Sequence, residues 1–173
     1  MNAPASAPTG APTSRFAAPD SGTQYVTLGI GDEVFALPVE QVREVIDLCP
    51  FTRVPNAPRA LRGMIDVRGH GVPVIDMRQK LGLSPAEPTP HTRIVVMDAT
   101  LDGRSLVIGA LTDRVYEVTV LDDCGTEPPP DIGIGWDSGF IRGIGRRGAG
   151  FVIILDLARV LSSDEVALLG SAR

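Results

Sequence analysis

Cysteine, histidine and aromatic side chains are scarce in this chain of 173 residues, which has two cysteines, two histidines and 5% aromatic residues. Two histidines help to build a zinc site only with further ligands at short spacings, so we expect no metal. Neither cysteine belongs to a CxxC motif, and no disulfide framework is predicted. No secretion signal and no apolar run long enough to span a bilayer are present. We therefore expect a cytoplasmic protein without direct membrane insertion.

A basic surface is also missing, because the formal net charge is -5 at pH 7. Nucleic-acid binders usually carry a basic face, so we expect no nucleic-acid partner. What the chain has in quantity is glycine (19 residues) and proline (15 residues), together with 43% hydrophobic residues. This composition favours short strands joined by many turns over a helical bundle.

The clearest feature of the sequence is an internal repeat. Residues 61–81, LRGMIDVRGHGVPVIDMRQKL, align without a gap with residues 141–161, IRGIGRRGAGFVIILDLARVL. A second shared pattern, Val-x-Glu-Val, begins at Val42 and again at Val115. Self-similarity of this kind is the signature of a duplicated structural unit. The chain therefore predicts two copies of one β module.

Pairs of short β-rich runs flank turn sequences and predict hairpins. The pairs are 25–30 with 34–38, 64–67 with 72–75, 93–97 with 105–111, and the copy of the second pair in the later repeat. Because the strands are short and turn signals recur about every ten residues, we predict an all-β protein, with only short helices, made of two small β-barrels.

Short helical segments are predicted between and after these hairpins. Apolar residues at helical spacing predict a short amphipathic turn or helix over 39–46, and 59–62 are expected to form one helical turn. Asp76 is expected to cap the helix that follows it, and Asp156 is its copy in the repeat. A capping signature predicts a closing helix over 163–169.

Patterns that would indicate catalysis are weak. Residues 143–148 match GxGxxG, which binds phosphate only when a helix follows it. A β run follows here, so we predict that these glycines belong to a hairpin. Asp76 and Asp156 resemble a catalytic carboxylate pair, but helix capping explains both their position and their duplication. No Ser or Cys lies in a triad-like pattern beside a base. We therefore predict an interaction module that is not an enzyme and needs no cofactor.

Two charged residues stand at positions where the folding of a β-barrel does not require a charged side chain. Arg68 lies at a predicted hairpin tip, and Glu44 lies on the turn whose apolar positions are Val42 and Val45. An average surface charge is simply solvated. Loops on a rigid scaffold are nonetheless where binding residues gather, so both residues are candidates for a partner-binding site.

Several ordered motifs together resemble the CheW family of bacterial chemotaxis coupling proteins. The motifs are LGIGDEVFALPV from Leu28, VREV from Val42, VPNAP from Val54, RGMIDVRG from Arg62 and VPVIDMR from Val72. The resemblance runs from about Tyr25 to Leu169. It implies a CheW-like domain over 23–169 with two five-stranded SH3-like barrels and an apolar seam between them.

The expected boundaries follow from the repeat and the composition. The first barrel is expected over about 23–83 and the second over about 92–161, with a Pro-rich joint between them. Residues 1–22 are rich in Ala and Pro and have almost no large apolar side chains. We expect them to form a disordered tail, because they cannot offset their own ordering entropy.

The resemblance also implies a function. The family couples chemoreceptors (methyl-accepting chemotaxis proteins) to the histidine kinase CheA, and it binds the kinase regulatory domain and the receptor cytoplasmic tip with different surfaces. The protein would then be held at membrane receptor arrays through its partners. The positions that match those associated with receptor coupling are Val42, Glu44, Gly63 and Arg68.

We expect Glu44 and Arg68 to orient one another beside an apolar receptor groove that contains Val42. On that expectation, Val42→Asp abolishes receptor binding and leaves the melting curve little changed. Two alternatives to this function stay open. One is a CheW-like scaffold of a pathway for surface motility or gene regulation. The other is a small-molecule binder that uses the crevice between the barrels, for which the sequence offers no convergent set of polar groups.

Overall fold

The computed structural model describes residues 22–101, 103–123 and 140–161. In chain order the elements are β1 (Gln24–Ile30), β2 (Glu33–Pro38), β3 (Val42–Asp47), β4 (Leu61–Val67), β5 (His70–Asp76), α1 (Met77–Lys80), β6 (Arg93–Leu101), β7 (Arg104–Thr112), β8 (Arg114–Val120), β9 (Asp122–Asp123), β10 (Ile141–Arg147), β11 (Gly150–Leu155) and α2 (Leu157–Val160). Among these residues no helix is long and apolar enough to cross a membrane. The predicted closing helix over 163–169 lies outside the described residues, as does all but the last residue of the predicted tail.

The strands form two sheets, and the all-β prediction is confirmed. One sheet has the order β8-β1-β2-β11-β10-β9, and the other has the order β3-β6-β7-β5-β4. We call them the β1 sheet and the β3 sheet. The β3 sheet has the five strands that the resemblance implies, and the β1 sheet adds a sixth, β9, of only two residues.

The two sheets do not correspond to the two halves of the chain. The hairpin of β1 and β2 belongs with β8, β10 and β11, whereas the hairpin of β6 and β7 belongs with β3, β4 and β5. The boundaries predicted for the barrels, 23–83 and 92–161, therefore do not coincide with the sheets. The connection between β7 and β8 shows the reason. Only Asp113 separates the two strands, and even the tightest common hairpin needs a two-residue loop. β8 therefore continues into the other sheet.

The predicted repeat is present as a repeated piece of structure. The β4–β5 hairpin has a register shift between Leu61 and Gly63, and the β10–β11 hairpin has the same shift between Ile141 and Gly143. β5 then pairs in parallel with β7, just as β11 pairs in parallel with β2. The duplication thus holds for register, pairing and the helix that follows each hairpin.

Both predicted helix caps are confirmed. The Asp76 carboxylate accepts hydrogen bonds from the backbone N–H groups of Arg78 and Gln79, and that of Asp156 accepts one from Ala158. Residues 143–148 lie in β10 and the turn after it, and strand β11 follows. The GxGxxG match is therefore part of a hairpin, as predicted.

The helical prediction for 39–46 holds only for its first three residues, and the one for 59–62 was wrong. Of residues 39–46, only Val39–Gln41 is helical, as a 3-10 turn, and the chain then continues as strand β3. Residues 59–62 do not form a helical turn, because Leu61 already begins β4. The β-branched side chains in VREVI favour an extended backbone, and pairing with β6 supplies the hydrogen bonds that a helix would have made internally.

The largest apolar cluster fills the space between the two sheets. It takes buried side chains from both sheets and both helices, including Leu28, Phe35, Met97, Ile108, Ile153 and Leu157. A smaller cluster with Tyr25, Ala36 and Val152 belongs to the β1 sheet, and another with Ile65, Val74 and Ile94 belongs to the β3 sheet. Each sheet thus has an interior of its own, and the predicted apolar seam joins the two.

Asp113 ties together the elements that meet where the chain passes between sheets. Its carboxylate accepts a hydrogen bond from the backbone N–H of Gly31 at 2.7 Å and pairs with the guanidinium of Arg78 at 2.8 Å. The hydrogen bond from Arg78 to Asp113 raises the pKa of that guanidinium. Arg78 also donates to the carbonyl of Ser84 at 2.8 Å. The network connects the β1–β2 turn, α1 and the β7–β8 junction.

We expect Asp113→Ala to lower the free energy of unfolding by about 1.5 kcal/mol, because the partly buried Arg78 loses a charged hydrogen-bond partner. Urea denaturation measures the loss. Asp98→Ala is the matched control, because it removes a more exposed ion pair with Arg43, worth about 0.5 kcal/mol. Equal losses in the two variants would contradict a special role for the junction.

Candidate partner-binding site

The site begins with an irregularity in strand β3. Val42 lies opposite Met97 and Glu44 lies opposite Val96, so Arg43 is an extra residue with no residue opposite it on β6. This arrangement is a β-bulge, which re-aims side chains locally. Arg43 and Glu44 consequently line the same groove, whereas Val42 packs against the central core.

Glu44 forms an ion pair with Arg68, as expected. Arg68 lies at the tip of the β4–β5 hairpin with a left-handed backbone (φ 53°), and its Nη2 atom is 3.2 Å from Oε2 of Glu44. The side chain of Arg68 is 81% exposed, but that of Glu44 is only 27% exposed. So exposed a pair adds little to stability, but it holds the exposed guanidinium of Arg68 beside Glu44.

A groove of about 610 Å³ lies beside this pair on the β3 sheet. Apolar side chains form much of its lining: Met64, Val67, Val72, Pro73, Val96, Leu106 and Val107. The charged and polar side chains that also line it are Arg43, Glu44, Arg68, His70 and Ser105. A partner surface with apolar side chains beside a polar or charged group would fit this combination.

A second ion pair lies at the same groove. The guanidinium of Arg43 contacts the Asp98 carboxylate at 2.8 Å through Nη2 and at 2.9 Å through Nε. The hydrogen bond to Asp98 raises the pKa of Arg43. The two Arg–carboxylate pairs, Arg43–Asp98 and Arg68–Glu44, thus give the site charges of both signs.

The other two residues predicted for the site are not part of the groove lining. Val42 is half-buried and packs on the opposite side of β3. Gly63 is buried beneath Thr52, whose backbone exchanges two hydrogen bonds of 2.8 Å with that of Met64. A Cβ atom on Gly63 would lie 2.5 Å from the carbonyl oxygen of Thr52.

Sequence reasoning missed Arg43 because the segment was read as helical. In a helix, Arg43 and Glu44 point in directions about 100° apart, and nothing marks them as neighbours at one groove. The available signal was the Val-x-Glu-Val repeat, because both copies contain the same bulge. β8 has a register shift opposite Val26 and Leu28 that corresponds to the one in β3.

The other copy also has an ion pair between a Glu of the repeat and an Arg near a hairpin tip. Glu117 of β8 pairs with Arg147, the last residue of β10, at 2.5 Å. In the alignment of the two repeats Gly148 corresponds to Arg68, and Arg147 lies one position before it. The two pairs are therefore related but not identical, and the second offers a matched control for the first.

The fold and the groove of the described residues define a class of protein. They contain no cluster of three or more potential metal ligands. The groove on the β3 sheet is open to solvent and has two ion pairs beside it, a combination that suits contact with a protein surface. Two packed β sheets with such a groove define an interaction scaffold. A family model described as CheW-like domain matches residues 24–165, and the chain belongs to this family.

Named relatives agree with this assignment. Chemotaxis protein CheW of Rhizobium meliloti (strain 1021) is 30% identical over 146 residues, which are 84% of this chain and 92% of the relative. Chemotaxis protein CheW of Klebsiella aerogenes is 27% identical over 158 residues, which are 91% of this chain and 93% of the relative. The crystal structure of the scaffolding protein TtCheW from Thermoanaerobacter tengcongensis matches with a TM-score of 0.68 at 24% identity. The match covers 83% of this chain and 94% of that one, so the two share a fold.

Proposed function

We propose that this protein is a chemotaxis adaptor that couples chemoreceptors to the histidine kinase CheA. Membership of the CheW-like family and the chemotaxis relatives support this role. The observation that carries it to particular residues is the Glu44–Arg68 pair beside an apolar groove. The protein acts by binding and performs no catalysis. It works in the cytoplasm and reaches membrane receptor arrays only through its partners.

The groove on the β3 sheet is the proposed receptor face. The cytoplasmic tip of a receptor places apolar side chains over Val67 and Leu106, and Arg68 binds a polar or charged group next to them. Glu44 holds the guanidinium in place. Val42 and Gly63 contribute indirectly, because Val42 anchors β3 to the core and Gly63 permits the close approach of Thr52 to β4.

The regulatory domain of CheA binds elsewhere on the same rigid body. Packing between the sheets supports this arrangement, since the shared core holds both sheets in a fixed relation. An adaptor of this kind raises the effective concentration of one partner near the other. The two interfaces can then each be weak and still make a stable array.

We expect Arg68→Ala to reduce retention of a receptor cytoplasmic fragment about tenfold in a pull-down, because the variant loses the charged group that binds next to the apolar contacts. Retention of the CheA regulatory domain should not change. Arg147→Ala is the matched control, because it breaks the related pair with Glu117 and removes the same charge. Loss of receptor binding in both variants, or in neither, would contradict the proposed face.

A further inference from the structure

A second cleft, of about 480 Å³, lies on the segment between β3 and β4 and on the start of β4. Three arginines line it: Arg53, Arg59 and Arg62. Its described lining contains no acidic side chain, and its remaining residues are mostly apolar, among them Phe51, Pro58 and Leu61. It shares no lining residue with the groove on the β3 sheet.

These arginines differ from most others in the described part of the chain. Arg43, Arg68, Arg78, Arg93, Arg147 and Arg159 each form an ion pair with a carboxylate. Among the residues described, the cleft arginines form no ion pair, although the whole chain has a net charge of -5. Three like charges in one cleft repel one another, and an anion bound between them would offset this repulsion. The cleft is therefore an uncompensated positive site on an acidic protein.

The backbone around the cleft is held in place before any ligand arrives. Thr52 and Met64 exchange two backbone hydrogen bonds, which hold the segment that carries Arg53 against β4, the strand that carries Arg62. The Leu61 N–H donates to the carbonyl of Pro58 at 3.0 Å. Stacking of Arg62 on Phe51, 6.0 Å from the ring centroid, restrains one of the guanidinium groups. A preorganised site loses less conformational freedom when it binds.

We propose that this cleft binds an acidic segment of a protein partner. Guanidinium groups bind carboxylates through paired N–H donors with defined geometry, and the apolar walls would contact apolar side chains between the acidic ones. An isolated small anion would use the arginines but not these walls. The inference goes beyond the adaptor function and does not depend on it, because the cleft is separate from the receptor face.

The test uses the full chain and a short fluorescein-labelled peptide in which glutamate alternates with leucine and glycine. Fluorescence anisotropy follows binding as NaCl rises. We expect the wild type to bind this peptide and to lose affinity with salt, as exposed charges are screened. A peptide with glutamine in place of glutamate should not bind. Arg53→Ala/Arg59→Ala should weaken binding at least about fivefold, the loss of roughly 1 kcal/mol.

The control variant is Arg104→Ala/Arg114→Ala, which removes the same charge from two other exposed arginines without ion pairs among the described residues. Its affinity should stay within about twofold of the wild type, a change of roughly 0.4 kcal/mol. An equal loss in the control would overturn the proposal, because net charge alone would then explain binding. Binding of tripolyphosphate but not of the glutamate peptide would also overturn it. Pull-downs with the receptor fragment are independent of either result.

Discussion

Gly63→Ala is expected to lower the free energy of unfolding by about 3 kcal/mol or more. The added Cβ atom would lie 2.5 Å from the carbonyl oxygen of Thr52 and 3.1 Å from Cβ of Phe51. The oxygen belongs to the backbone, which exchanges two hydrogen bonds with Met64 just there. Relief of the clash therefore requires these bonds to lengthen or break. Thermal unfolding should show a midpoint lowered by about 10 °C for a chain of this size.

Gly148→Ala separates this clash from the effect of backbone conformation. Gly63 has a φ of 152° and Gly148 has a φ of 59°, but a Cβ atom at position 148 would meet nothing within 4 Å. Only the backbone preference is lost, which costs about 1 kcal/mol. If the two variants unfolded at the same temperature, close packing under Thr52 would not be the reason for glycine at position 63. Reduced receptor binding by Gly63→Ala would then need a direct contact as its explanation.

Val42→Asp is expected to destabilise the protein by about 2.5 kcal/mol. The sequence alone predicted instead that the melting curve of this variant would change little. Val42 is half-buried against the central core and lies opposite Met97, which is fully buried. A carboxylate there loses hydration without gaining a partner. Urea denaturation measures the loss, and binding must be compared at temperatures where the variant is still folded.

Val45→Asp is the control on the same strand. Val45 is 41% exposed, so a carboxylate stays hydrated and the change in stability should stay within about 0.5 kcal/mol. If Val42→Asp were as stable as Val45→Asp, Val42 would have to be a surface residue and not part of the core. A direct receptor contact would then be the simplest reading of any binding defect in that variant.

The structure also bears on the small-molecule alternative. Such a ligand would need a crevice between the sheets, but that space is occupied by packed side chains such as Phe35, Met97 and Ile153. The groove beside Arg68 lies instead on one sheet and is open to solvent on its charged side. Both observations favour a protein partner over an enclosed small ligand.

Local patterns in the sequence were enough to determine the hairpins, the repeat and the two aspartate caps. Each depends on residues close together in the chain, such as Asp76 and the two N–H groups that follow it. Glu44 and Arg68 were candidates from their positions in the sequence and again from the family resemblance, although their role as a binding site remains a proposal. The local pattern failed at VREV, where helical spacing and β-branched residues favour different structures and pairing with β6 decides.

Only the tertiary structure decided which hairpin joins which sheet. Sequence order suggests that neighbouring strands belong together, but β3 and β8 each leave the hairpin that precedes them and join the other one. The bulge at Arg43, the ion pair with Asp98 and the burial of Val42 all follow from that exchange, because β3 pairs with β6 from the second half of the chain. Pairing between segments about fifty residues apart depends on which edges are free once the sheets pack, and no local pattern encodes it.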